Sequence, residues 1–487
     1  MLDTIQIKKH KHSHAQNRFA VIPTVEKLKA DTRFTGKNVT IAFLDSGFYP
    51  HADFVERVVA FHDVEAEESS FHSIFAPHSY HWHGTQTVTS CAGNGALSDG
   101  VYRGIASDSR LVLVKVSQNS RISDESIEKG LQWVLENREK YKIRVLNMSL
   151  GGDMDASFEE SRINRLAEKL IEAGVCITVA AGNSAESHST PPANCPSVIT
   201  VGGYSDENQF AHENFRLYHS NFGTTTDGLI KPEIIAPAMF VAAPILPETK
   251  DYETAETLSI IANAPEYAFR QTFIENWQAA DLPEYILSTD VKTARQIVET
   301  ELQKRGIVAA HYKHVDGTSF AAPITASVIA QMLEANPKLT PANVKNILCS
   351  TAQKIAGQPS IRQGFGILNA RLAVETALLE THFLEMDIFG APRINGKKII
   401  FFYHDDKAEN VFLAGDFNGW RTDEIYFRKT SAGVWVAEIP NLPVGRYAYK
   451  FCVGEKHWIE DPSHALKEDD GFGGFNSILQ IKAKQND

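Results

Sequence analysis

The chain has 487 residues, 43% of them hydrophobic and 22% charged, with 31 Gly and 20 Pro. These proportions exclude collagen-like, coiled-coil and largely disordered chains, and the length predicts two to four domains at roughly 150 residues each. The net charge of −12 implies no broad basic face, so no nucleic-acid partner is expected.

Cys91, Cys176, Cys195, Cys349 and Cys452 are scattered and form no CxxC pair. Neither a disulfide framework nor a zinc site is expected, and a reducing compartment fits best. The start, MLDTIQIKKHKHSHAQNR, is polar and basic, with no apolar run of the signal-peptide kind after it. No stretch approaches about 18 consecutive apolar residues. A cytoplasmic protein without a membrane partner is therefore expected.

In chain order, residues 39–44 (VTIAFL) form an apolar run of strand length, as do residues 111–116 and 175–181. Ile127, Leu131, Val134 and Leu135 recur on one helical face, and so do Ile163, Leu166, Leu170 and Ile171, with Gly174 placed as a C-cap. Strands apolar on both faces that alternate with helices predict a parallel α/β sheet covered on both sides. Function collects at the carboxyl ends of such strands. The turns there read Asp45-Ser46-Gly47, Ser149-Leu150-Gly151 and Ala181-Gly182-Asn183, while a separate turn carries His83-Gly84-Thr85. Asp316-Gly317-Thr318-Ser319 opens a helix running to about Asn336.

An Asp, a His and a Ser, each beside Gly or Thr at an element end, have the composition of a nucleophilic triad. Ser would attack, His would take and return its proton, and Asp would fix the imidazole tautomer. Asn183 is a plausible donor to the oxyanion that forms. Taken singly, DSG, HGT and AAGN are ordinary turns. Their order, Asp45, His83, Asn183, Ser319, is the Asp-His-Ser arrangement of one protease class.

The stretches VTIAFLDSGFYPHADF, HWHGTQTVTSCAG, RVLNMSLGG, CITVAAGN, PSVITVGG, KPEIIAPA and DGTSFAAP together resemble the subtilases, the subtilisin-like serine endopeptidases. The resemblance covers about residues 33–243 and 314–378. It implies Asp45, His83 and Ser319 as the triad and Asn183 in the oxyanion hole. It also implies Ser149, Leu150 and Gly151 as the edge that pairs with extended substrate backbone, and a structural role for His51. Gln86 stands where subtilases usually have a second His. The segment Gly93–Gly100 is shorter than the family's calcium loop, so a calcium site at Asp53 is not supported and no metal or other cofactor is expected. The family's pro-domain has no counterpart before Asp45, which suggests the intracellular subtilases.

Between Ala236-Pro237-Ala238 and Ser319 lies a long extra stretch, about 248–312, rich in Glu, Ala and Gln. Ala294, Ile297, Val298 and Leu302 give it one apolar helical face, ended by Gly306. It is either a helical decoration or a gate at the cleft rim.

From Phe383 the texture changes to short alternating strands at Lys398–Tyr403, Asn410–Ala414, Val434–Ile439 and Arg446–Val453, a small β-sandwich. Trp420, Trp435 and Trp458 are candidates for either sugar stacking or core. The stretches VFLAGDFNGW and YKF, with WIEDP after them, resemble the glycogen-binding module of the AMP-activated protein kinase β subunit, carbohydrate-binding module family 48. That resemblance, over about 395–482, implies α-glucan contacts by Trp420, Lys450, Trp458 and Asn476. Phe472 departs from it, because that family has an aliphatic residue there.

The expected organisation is an N-terminal arm (1–20), an α/β subtilisin-like peptidase domain (21–382) with a helical insertion, and a β-sandwich (383–487). The expected function is that of an intracellular serine endopeptidase acting on polypeptide, with a module for glycogen or another α-glucan. Two alternatives stay open: a catalytically silent glucan-binding scaffold, and a protease whose C-terminal module docks a protein.

Overall fold

Every residue of Thr40–Asp45 is buried, and alternate side chains enter different cores. Ile41 and Phe43 join one cluster with Leu111, Leu113 and Val145. Ala42 and Leu44 join another with Val112, Val114, Leu146 and Met148. This is how a strand reads when helices cover both sheet faces. The computed structural model describes residues 21–66, 69, 78, 80–118, 121–152, 157–158, 160–380, 392–395, 398–405, 407–429, 434–454, 456–464 and 466–481. The N-terminal arm, 1–20, lies outside the described residues, as does the expected domain start at Phe383.

The central sheet contains, in chain order, β1 (Thr40–Asp45), β2 (Val58–Asp63), β3 (Arg110–Lys115), β4 (Ile143–Met148), β5 (Cys176–Ala180), β6 (Ile199–Ser205) and β7 (Ile234–Pro237). Its spatial order is β7-β6-β5-β4-β1-β3-β2, with each of these pairs parallel. On one face lie the helices Asp124–Tyr141 and Arg162–Glu172. Ser123 and Ser161 cap them, each accepting a backbone N–H. The second helix ends in a Schellman motif: Gly174 N–H reaches Ile171 O at 2.9 Å and Val175 N–H reaches Leu170 O at 3.0 Å. On the other face lie His81–Ala92 and the apolar helix Thr318–Ala335.

The extra stretch forms the helices Lys250–Asn263, Glu266–Asn276 and Val291–Lys304. Phe269, Phe273, Ala294, Val298 and Leu302 give it a core of its own. Its stem is a feature that helical periodicity does not signal. Tyr312–Val315 pairs antiparallel with Val241–Pro244 on one side and with Ile307–Ala309 on the other.

The C-terminal strands form two antiparallel sheets. One holds Lys398–His404 and Val434–Pro440, and the other holds Val411–Gly415, Gly445–Val453 and Phe475–Ile481. Between them Phe401, Leu413, Trp435, Tyr449, Phe451 and Leu479 pack as one core. The sandwich rests on the peptidase through an antiparallel bridge, Leu229 to Leu466. Lys467 places its ammonium 4.1 Å from the Phe365 ring centroid. Among the described residues no helix is long and apolar enough to cross a membrane.

Candidate active site

Asp45 ends β1, and the helix carrying His83 crosses directly over the turn that follows. Gly84 makes that crossing close: a Cβ there would lie 2.2 Å from Gly47 O and 2.9 Å from the Phe48 ring. At this approach His83 Nδ1 lies 2.7 Å from Asp45 Oδ1. Ser46 N–H also donates to Oδ1, at 2.7 Å. Burial opposes a charge on His83, but the attraction and hydrogen bond of Asp45 outweigh it and raise the imidazole pKa. With Nδ1 held by the carboxylate, Nε2 is the nitrogen left to exchange a proton with a substrate-side group.

Ser319 lies in the first turn of Thr318–Ala335, entered through Gly317 at φ +137°, a conformation that favours glycine. The ring of Phe320, the next residue, lies 6.1 Å from that of His83, which puts the imidazole beside this turn. Pro323 sits four residues after Ser319 and has no N–H to give the Ser319 carbonyl. The Ser149 hydroxyl takes that place, donating to Ser319 O at 2.7 Å. Ser149 in turn accepts from Asn147 Nδ2 at 3.0 Å, and Asn147 Oδ1 accepts from Thr178 at 3.1 Å. The Ser319 hydroxyl lies 3.5 Å from Ser149 O. Of the expected substrate edge, Ser149 is therefore turned inward against the nucleophile turn, while Leu150 is half-buried and Gly151 exposed.

Asn183 is held through its oxygen. Oδ1 accepts from Thr318 N–H and from the Thr318 hydroxyl, both at 2.9 Å, and the side chain is otherwise exposed. A Cβ built on Gly317 would lie 3.7 Å from Asn183 Nδ2 and 3.8 Å from Ser319 N, so both nitrogens border the Gly317 turn. The Ser319 backbone N–H, in the first helical turn, has no intrahelical acceptor.

Sequence reasoning did not single out Asn147, Thr178 or Trp82. The first two carry one signal, a polar residue inside an otherwise apolar strand. Trp82 is 47% exposed and stands at 87° to the His83 ring, 5.2 Å away. It forms an apolar wall beside the imidazole. Gln86 is buried and its amide donates to Pro244 O at 2.8 Å, tying the His83 helix to the stem of the insertion. His51 is fully buried and accepts from Asp53 N–H at 3.2 Å; burial, with His311 nearby, pushes its pKa down to about 4.

The groups around Asp53 do not fit a calcium ion. The Tyr312 hydroxyl lies 3.0 and 2.9 Å from its two carboxylate oxygens, and the Ala96 and Leu97 amides also face it. These are donors, whereas a calcium shell needs six or more oxygen acceptors. Burial pushes the Asp53 carboxyl up to about 6.

In the sandwich, Lys450, Trp458 and Asn476 share the outer face of one sheet, while Tyr449 and Phe451 point into the core. The Trp420 and Trp458 rings are 6.3 Å apart, and Trp458 is 41% exposed. Trp420 Nε1–H donates to Asp416 at 3.0 Å, and Lys450 is paired with Asp470. Trp435 is core, its indole N–H donating to Asp405 O at 3.0 Å. Phe472 is 96% exposed.

The chain matches the subtilase family model over residues 36–367 and the model of carbohydrate-binding module 48 (isoamylase N-terminal domain) over residues 388–463. It is 30% identical over 360 residues to the serine protease AprX of Bacillus subtilis, across 72% of this chain and 69% of AprX. It is 31% identical over 202 residues to subtilisin-like protease 1 of Trichophyton rubrum, across 39% of this chain and 34% of that protein. Among solved structures, fervidolysin from Fervidobacterium pennivorans, described as a keratinolytic enzyme related to subtilisin, aligns with TM-score 0.50 at 18% identity. That alignment covers 88% of this chain and 55% of fervidolysin, and it shows shared fold alone. The chain belongs to the subtilase family of serine endopeptidases. Its C-terminal sandwich is a family 48 carbohydrate-binding module.

Proposed function

We propose that the chain is an intracellular endopeptidase in which Ser319 attacks the peptide carbonyl while His83 Nε2 takes the hydroxyl proton. His83 then returns that proton to the leaving amine as the C–N bond breaks, and Asp45 steadies the imidazolium between the two steps. Asn183 Nδ2 and the Ser319 N–H donate to the oxyanion. The backbone of Ser149, Leu150 and Gly151 pairs with the extended substrate. One observation carries this reading: the partly buried 2.7 Å contact between Asp45 and His83, set beside the head of the Ser319 helix. The cytoplasmic setting is supported by five buried cysteines, all unpaired.

Labelling of the full chain with a fluorophosphonate, with Ser319→Ala as control, tests the triad by mass spectrometry. Adduct on Ser319 alone is expected. An unlabelled wild type rejects the triad and favours the silent scaffold.

The same proposal gives the sandwich an α-glucan ligand, stacked on Trp420 and Trp458 with Lys450 and Asn476 beside it. Support comes from two indoles that converge on one outer face. Glycogen co-sedimentation should be lost in the Trp420→Ala/Trp458→Ala double variant. Undiminished pelleting would reject this face.

A further inference from the structure

We propose that Thr87 is a positioning residue for the reaction, holding the carboxylate oxygen of Asp45 that His83 does not use. The inference rests on the triad assigned above and deepens it. Thr87 lies one turn after His83 on the same helix, so both side chains meet the Asp45 turn. Its hydroxyl lies 3.1 Å from Asp45 Oδ2 and 3.0 Å from Gly84 O. One proton must choose between them.

Two arguments send it to Asp45. Gly84 O lies inside the helix, where the amide four residues on already serves it. The carboxylate is charged, and a charge-assisted bond is about twice as strong as a neutral one. The opposite choice would also face hydroxyl lone pairs to a carboxylate oxygen, with Thr87 and Asp45 both buried. The neighbouring hydroxyls behave differently: Thr85, Thr89 and Ser90 each donate to the carbonyl four residues earlier. Within this polar run, Thr87 is the side chain that reaches the carboxylate.

The consequence is electrostatic as well as geometric. Asp45 Oδ1 takes His83 and the Ser46 amide, while Oδ2 takes Thr87. A donor on Oδ2 fixes the carboxylate plane and tempers its hold on the imidazolium. Without that donor, His83 keeps its proton to higher pH and serves as base over a narrower range. Other charged groups nearby are committed elsewhere. Lys115, opposite Asp45 in the strand register, donates to Asp63 at 2.9 Å and to Ser117 O at 2.8 Å. His81, at the start of the helix, packs its ring on Tyr80 and His78.

The test is the pH dependence of fluorophosphonate labelling at Ser319, read in the full chain for wild type, Thr87→Val, Thr87→Ala and Thr87→Ser. The valine keeps the volume and removes the hydroxyl, the alanine is a second hydroxyl-free chain with better helix propensity, and the serine restores the hydroxyl. Labelling of the valine and alanine variants should be about threefold slower than wild type at pH 6 and equal to it near pH 9, the signature of a base that holds its proton about half a unit longer. The serine variant should follow wild type. A wild-type profile in either folded hydroxyl-free variant, or a serine variant that behaves like valine, overturns the proposal while leaving the triad standing. An unlabelled wild type overturns the triad itself.

Discussion

Replacing Glu460 with Gln should loosen the sandwich from the peptidase. Glu460 Oε1 lies 2.7 Å from Lys354 Nζ, across the domain boundary, and 3.5 Å from Lys467 Nζ within the sandwich. Burial opposes its charge, but Lys467 and Lys354 outweigh that and hold the carboxyl at about 2, against an ordinary 4.5. A depressed carboxylate pKa contributes stability that is complete above pH 4.5 and lost as pH falls toward 2. At about 1.36 kcal/mol per unit, the difference between those values sets a ceiling of about 3 kcal/mol. Lys354 is 38% exposed, so solvent screens part of the attraction, and about 2 kcal/mol is the working figure. Calorimetry of wild type and Glu460→Gln should show a melting transition several degrees lower in the variant at pH 7. The gap should narrow as the pH is lowered to 3, because the carboxyl of the unfolded chain is then protonated and folding has to remove that proton from Glu460. A variant that melts within a degree of wild type at pH 7, or a gap that does not shrink in acid, would refute the reasoning.

Three further outcomes are expected. Asn183→Ala should lower kcat about a hundred- to a thousandfold with little change in KM; a loss below about tenfold in steady-state kinetics would remove Asn183 from the oxyanion role. Glu233 is buried and accepts from Lys231 at 2.6 Å, Lys345 at 2.7 Å and Thr200 N–H at 2.8 Å. Glu233→Ala strands two ammonium groups and should cost about 3–5 kcal/mol in urea unfolding. Asp53 has the opposite sign to Glu460. Its carboxyl is raised from 3.8 to about 6, so its contribution is complete below pH 3.8 and lost as pH rises through 6. That is worth at most about 3 kcal/mol. Urea unfolding across pH 4 to 7 should show this decline in wild type and a flatter profile in Asp53→Asn.

The parallel sheet was legible because its strands are apolar on both faces, and the helix ending at Gly174 because capping is a local matter. The sandwich strands were legible from alternation, and Gly445–Val453 appears within a residue of its expected bounds. The stem of the insertion was not legible. Tyr312–Val315 reads YKHV, a short run with no pattern of its own, and it becomes a strand only because Val241–Pro244 lies alongside. The fate of the tryptophans was equally hidden. Trp435 and Trp458 sit in similar strand contexts, and one fills the space between the sheets while the other stands outside it.

Asp45, His83, Asn183 and Ser319 could be picked out as candidates one by one, because each has glycine or threonine close by in a short local pattern; His83, expected in a turn, lies instead in the first turn of the helix His81–Ala92. Their supports come from far along the chain. Ser149 serves a carbonyl 170 residues away, and Asn183 is held by the Thr318 amide at a separation of 135. Thr87 reads as an unremarkable helical threonine until the sheet brings Asp45 against it. The sequence by itself determined which groups could carry the chemistry and the order of the elements that bear them. Only the tertiary structure decided which polar atoms meet in the dry interior, since a buried hydrogen bond depends on positions in space that no local pattern encodes.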